Sequence, residues 1–79
     1  MTVQTSHHYQ SGSDIRSPVD DQTYDVLQAL TSKCEAIEAY AKYEQDADGE
    51  MKQLFQDLAR EDSAAAERLL QALRTRLTS

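Results

Sequence analysis

One interruption governs how this chain can fold. The run Asp46, Ala47, Asp48, Gly49, Glu50 puts two helix-competing aspartates and a glycine between two long stretches of helical period, the local chemistry of a tight connection. Before it, Leu27, Leu30, Cys34, Ile37 and Ala41 recur at steps of three and four residues, which places them on one stripe of a helix, with Val26 and Tyr40 widening that stripe. After it, Met51, Leu54, Phe55, Leu58, Ala65, Leu69, Leu73 and Leu77 recur at helical spacing among residues that are, aspartate aside, good helix formers. Ser17, Pro18 and Asp20 read as N-cap, first helical position and N3 acid. The spacing therefore predicts helix one over about residues 18–46 and helix two over about residues 49–77, with Asp48 as the second N-cap.

Two helices of nearly equal length joined by so short a loop pack antiparallel, each arm about 40 Å long at about 1.5 Å per residue. Such a hairpin makes a poor core, because each arm covers only part of the other's apolar stripe. The expected fold is all-α: a two-helix antiparallel hairpin over residues 18–79 that dimerises into a four-helix bundle, preceded by a disordered tail over residues 1–17. The tail holds no Leu, Phe or Ala and shows no apolar period that could offset the entropy of ordering. The expected oligomer interface comprises Leu27, Leu30, Cys34, Ile37 and Tyr40 of helix one with Leu58, Ala65, Leu69 and Leu73 of helix two.

Charge and composition exclude several functions. With 8 Lys plus Arg against 14 Asp plus Glu, the net charge of −6 opposes a nucleic-acid surface, since phosphate binding is driven by cations displacing counterions. No apolar run approaches the roughly 18–20 residues of a membrane span, and no charged start precedes an apolar core, so neither a membrane segment nor a signal peptide is expected and the location is read as cytoplasmic. The single cysteine, Cys34, has no internal partner for a disulfide. On the apolar stripe it reads as a small inert hydrophobe. His7 and His8, beside Tyr9, fall in the tail and read as chance neighbours. No Ser, His and Asp constellation, phosphate-cradling loop or zinc spacing occurs.

The seam between the helices holds acids. If the turn is centred near residue 47 or 48, residues facing each other have numbers summing to about 95, so Glu61 and Asp62 lie opposite Lys33 and Cys34, one turn from Glu35 and Glu38. Carboxylates gathered in a bundle core are costly unless paired, protonated or bound to a cation. Three readings stand side by side: solvated margin acids paired with Lys33, Lys42, Arg60 or Arg68; a polar layer that sets register; or a metal site of Glu35, Glu38, Glu61 and Asp62 shared between hairpins.

The segment EAIEAY at residues 35–40, followed by DADGEMKQLFQDLAREDSAAAERLL, resembles the ferritin-like superfamily, and within it the two-helix encapsulated ferritins and rubrerythrin-like short proteins. The resemblance covers roughly residues 27–77. It implies a hairpin protomer, pairs of which build a four-helix bundle with iron at their interface. Glu35 then matches the first-helix glutamate ligand and Tyr40 the tyrosine that follows it. Helix two departs from the pattern: Ser63 and Ala66 stand in the places of the family's E-x-x-H pair, and a shifted frame offers Glu61 or Asp62 but no histidine. The reading is a ferritin-like hairpin without an iron centre, non-catalytic and without cofactor, acting as a homo-oligomeric assembly or interaction module. The alternative is an iron-binding or ferroxidase-like protein with a carboxylate site at the dimer interface. The tail is a further candidate for capturing a protein partner.

Overall fold

The computed structural model describes residues 16–78, and over these the protein is an all-helical hairpin: α1 spans Asp21–Asp46 and α2 spans Gly49–Thr78, with no strand among the described residues. The expected tail, including His7, His8 and Tyr9, lies outside the described residues except for Arg16 and Ser17. No helix among the described residues is long and apolar enough to cross a membrane.

α1 starts three residues later than Ser17 and Pro18 suggested. Its N-cap is Asp20, whose carboxylate accepts the Thr23 N–H at 2.9 Å while its carbonyl accepts the Tyr24 N–H at 2.9 Å. Ser17 instead closes a local turn, its hydroxyl accepting the Val19 N–H and donating to the Val19 carbonyl, both at 3.2 Å. Two capping residues compete here, and Asp20 prevails because its charge also meets Arg76 from the far end of α2.

The turn spends two residues. Ala47 ends α1 in extended backbone, φ −113°, with its N–H on the Glu44 carbonyl at 3.2 Å. The Asp48 carbonyl accepts the Met51 and Lys52 N–H groups at 3.2 and 3.3 Å, so Asp48 occupies the N-cap place of α2. The chain then enters α2 through Gly49 at φ +54°, a left-handed conformation that a side chain resists.

The two helices meet along a narrow seam. On α1 it runs through Thr23, Val26, Leu30, Lys33, Ile37 and Tyr40; on α2 through Phe55, Ala59, Asp62, Ala66, Leu69 and Leu73. Steps of three and four alternate on both sides, the spacing of a coiled-coil seam. Cross-helix partners confirm antiparallel packing: Lys33 reaches Asp62, and the Tyr40 ring stacks on Phe55 with centroids 6.2 Å apart. The seam is rotated by about one residue from the stripe expected on α1. Leu27 is 37% exposed, and Cys34 and Ala41 are exposed, whereas Lys33, which hydropathy alone leaves outside, is half-buried.

The result is a slab one helix layer thick. Each flank of the seam is open. On one side Leu30, Cys34, Ser63, Ala66, Glu67 and Leu70 line a shallow groove. On the other, Tyr43 and Met51 stand beside Phe55 at the loop end. Among the described apolar side chains Leu73 is the core, 9% exposed, and none is fully buried.

A Cβ built on Gly49 meets nothing within 4 Å, so any penalty for substitution there is backbone strain alone. Gly49→Ala is expected to destabilise the protein by about 1–2 kcal/mol in urea titrations followed by circular dichroism, without altering helix content at low denaturant.

Candidate functional site

Three clusters of side chains join the arms at the open end, at mid-height and at the loop. At the open end Arg76 clasps the start of α1: its Nε donates to the Thr23 hydroxyl at 2.8 Å, Nη1 to Gln22 Oε1 at 2.9 Å, and Nη2 to the Asp20 carboxylate. Thr23, 8% exposed, is the buried polar residue of the hairpin, and Arg76 satisfies its hydroxyl. The planar guanidinium suits this task, because its fork of donors can serve three acceptors at once. The Asp20 carboxyl is held below its ordinary value of 3.8, first by the Thr23 hydrogen bonds and then by Arg76. The clasp was missed in the sequence, although the numbers of Asp20 and Arg76 sum to within one of the pairing sum that places Lys33 opposite Asp62.

At mid-height Lys33 Nζ lies 3.4 Å from Asp62 Oδ1, with 41% and 19% of the two side chains exposed. This is the pairing that the seam spacing predicts. Exposure of the lysine limits the pair to about 1 kcal/mol or less. The other acids named for this level do not join it: Glu35, Glu38 and Glu61 are exposed. Helical spacing puts Glu38 on the flank of Cys34 and Glu61 on the opposite flank with Leu58 and Ala65. Within one hairpin the four carboxylates do not converge, and among the described residues no group of three or more His, Cys, Asp or Glu could hold a metal ion. The described residues of a single hairpin therefore do not gather the carboxylates and imidazoles of such a site.

At the loop end Tyr40, Tyr43 and Phe55 form an aromatic trio. Tyr43 meets Tyr40 edge-on with centroids 6.1 Å apart and Phe55 at 5.4 Å, tilted by 58°. Beside the trio a cleft of about 450 Å³, open to solvent, is lined by Tyr43, Asp46, Ala47, Asp48, Met51 and Phe55. Gln56 Nε2 closes this end from the opposite flank by donating to Glu44 Oε1 at 3.1 Å. On the surface of α2, Gln53 and Arg60 both donate to Asp57, holding its carboxyl below the ordinary range, the Gln53 bond foremost.

Of the residues expected at an oligomer interface, Leu30, Ile37, Tyr40, Leu69 and Leu73 lie in the seam of the hairpin itself. Leu58 and Ala65 are half-buried on one flank, and Leu27 and Cys34 are exposed on the other. Compared with family models, with curated proteins and with solved structures, the chain matches none.

The clasp makes stability depend on pH in one direction. Asp20 binds its proton more weakly folded than unfolded, so its contribution is full at neutral pH, begins to fall as pH drops toward 3.8, and is gone below its lowered folded value. In Asp20→Asn the acid-limb slope of unfolding free energy against pH should be shallower than in the parent. Arg76→Ala leaves the buried Thr23 hydroxyl unpaired and should cost about 1–2 kcal/mol by urea titration.

Proposed function

We propose that this protein is a small helical-hairpin assembly module, without catalytic chemistry of its own, whose working form is a self-associated bundle. The observation that carries this reading is the core: Leu73 is the buried hydrophobic residue, while Leu27, Tyr43, Met51, Leu54 and Leu77 are 37–69% exposed. Fully burying one leucine contributes about 1.5–3 kcal/mol, whereas fixing the backbone costs about 1–2 kcal/mol per residue. A hairpin with so little apolar burial gains most by bringing its open flanks against other helices. A chain of this size that has neither a disulfide nor a metal cluster among its described residues has association left as its means of adding core.

Sedimentation equilibrium of the metal-stripped protein tests this reading. The expected result is a dimer or larger species that anaerobic ferrous iron leaves unchanged. A monomer that iron assembles would replace the reading with the interface carboxylate site implied by the ferritin-like resemblance. Leu69→Asp places a charge in the seam and should abolish helicity and association together. A folded monomeric Leu69→Asp protein would contradict the proposal.

A further inference from the structure

We infer that a second copy of this chain covers the flank running from Tyr43 and Met51 at the loop to Ala72 at the open end, and that it lies antiparallel, loop end over open end. This rests on the self-association proposed above and adds a face and a direction to it. Three features of the hairpin carry it.

The first is apolar continuity. Seven-residue steps along α2 from Met51 pass through Leu58, Ala65 and Ala72, and steps along α1 from Tyr43 pass through Ala36 and Ala29. No charge interrupts either row. On the opposite flank the equivalent rows are Leu27, Cys34 and Ala41 on α1 and Gln56, Ser63, Leu70 and Leu77 on α2, where Gln56 and Ser63 interrupt the apolar run. The first flank is apolar at each of these positions from Tyr43 and Met51 to Ala29 and Ala72, with Glu61 at its outer margin.

The second is a gradient of side-chain size along that surface. The large residues stand near the loop, where Tyr43 is 47% and Met51 52% exposed, with Leu54 at 44% beside them. Toward the open end the same rows hold Ala29, Ala65 and Ala72, and the α1 row ends at Gln22. An antiparallel copy lays large side chains over alanines in both halves at once, as interdigitated packing requires. A parallel copy would set large against large at one end and leave alanine facing alanine at the other.

The third is charge. Residues 33–64, the loop half, hold nine carboxylates against four cations, while residues 16–32 and 65–78, the open half, hold four of each. A parallel pair would stack the two acidic halves. An antiparallel pair puts each acidic half over a neutral half that ends in Arg74 and Arg76. The face is two helices wide and, over the 26 residues of α1 at about 1.5 Å each, about 40 Å long, enough for the roughly 800 Å² per partner that a stable dimer buries.

Spin labels report the direction. In the full chain carrying Cys34→Ser and Gln45→Cys, labels near the turn should lie about 35–40 Å apart in the antiparallel dimer, the rise of about 25 residues at 1.5 Å each. A separation under about 25 Å would overturn the direction. Ala72→Glu reports the face: it should raise the dimer dissociation constant about 100-fold, Ala72→Lys at least tenfold less because it meets the acidic half, and Cys34→Glu less than about threefold. Loss of the dimer with Cys34→Glu and not with Ala72→Glu would overturn the face. Absence of dimers at every concentration in the parent would refute the self-association itself, an outcome distinct from either.

Discussion

Two helices share one line of contact, and the properties of this hairpin follow from how little that line can bury. An isolated pair covers the two inward positions of each heptad and leaves the positions on either side of them open. Here those flanking positions are apolar as well: Leu27 and Cys34 on one side of α1, Ala29, Ala36 and Tyr43 on the other. The sequence thus carries an apolar arc about twice as wide as one neighbour can cover. A hairpin meant to stand alone would have polar residues in these places, as surface helices of small domains do.

The arms are held by different chemistry at their two ends. At the loop, covalent closure and the Tyr40, Tyr43, Phe55 trio act together, so ordering there involves short chain separations and large aromatic surfaces. At the open end the chain separation is greatest, and there the arms depend on the Arg76 clasp. A guanidinium serving three acceptors localises the ends more sharply than an apolar contact of similar area, because its hydrogen bonds are directional. Unfolding should accordingly begin where Thr23 and Arg76 part and proceed toward the turn.

The hairpin was legible in the sequence because two signals agreed: the Asp and Gly cluster at 46–49 and the helical period on both sides of it. The pairing of Lys33 with Asp62 followed from loop position alone, which shows how strongly a two-residue turn constrains register. The phase of α1 was less legible for a physical reason. With Val26, Leu27, Ala29, Leu30, Ala36, Ile37 and Tyr40 spread over a wide arc, hydropathy does not mark the centre, and the polar seam residues Thr23 and Lys33 pull the apparent stripe toward Cys34. The start of α1 was obscured by the strong local signal of Ser17 and Pro18, which yielded to Asp20 because Arg76, 56 positions away, rewards that cap. The carboxylates looked convergent because i, i+3 spacing brings residues near one another without deciding which way they face. Glu35 and Glu38 share a turn yet remain exposed, and Glu61 and Asp62, adjacent in sequence, diverge to flank and seam.

The polar layer at mid-height has a role that apolar packing cannot fill. An alanine- and leucine-rich seam slides easily, since neighbouring registers bury similar area. Shifting one arm by a turn would leave Lys33 against Ala59 or Ala66 and Asp62 against Leu30 or Ile37, each charge half-buried without its partner. A pair that adds little stability in its native register therefore makes the wrong registers costly. With Arg76 and Thr23 marking the open end in the same way, two polar contacts and one tight turn fix the alignment of the arms, and the apolar flanks remain free for other helices.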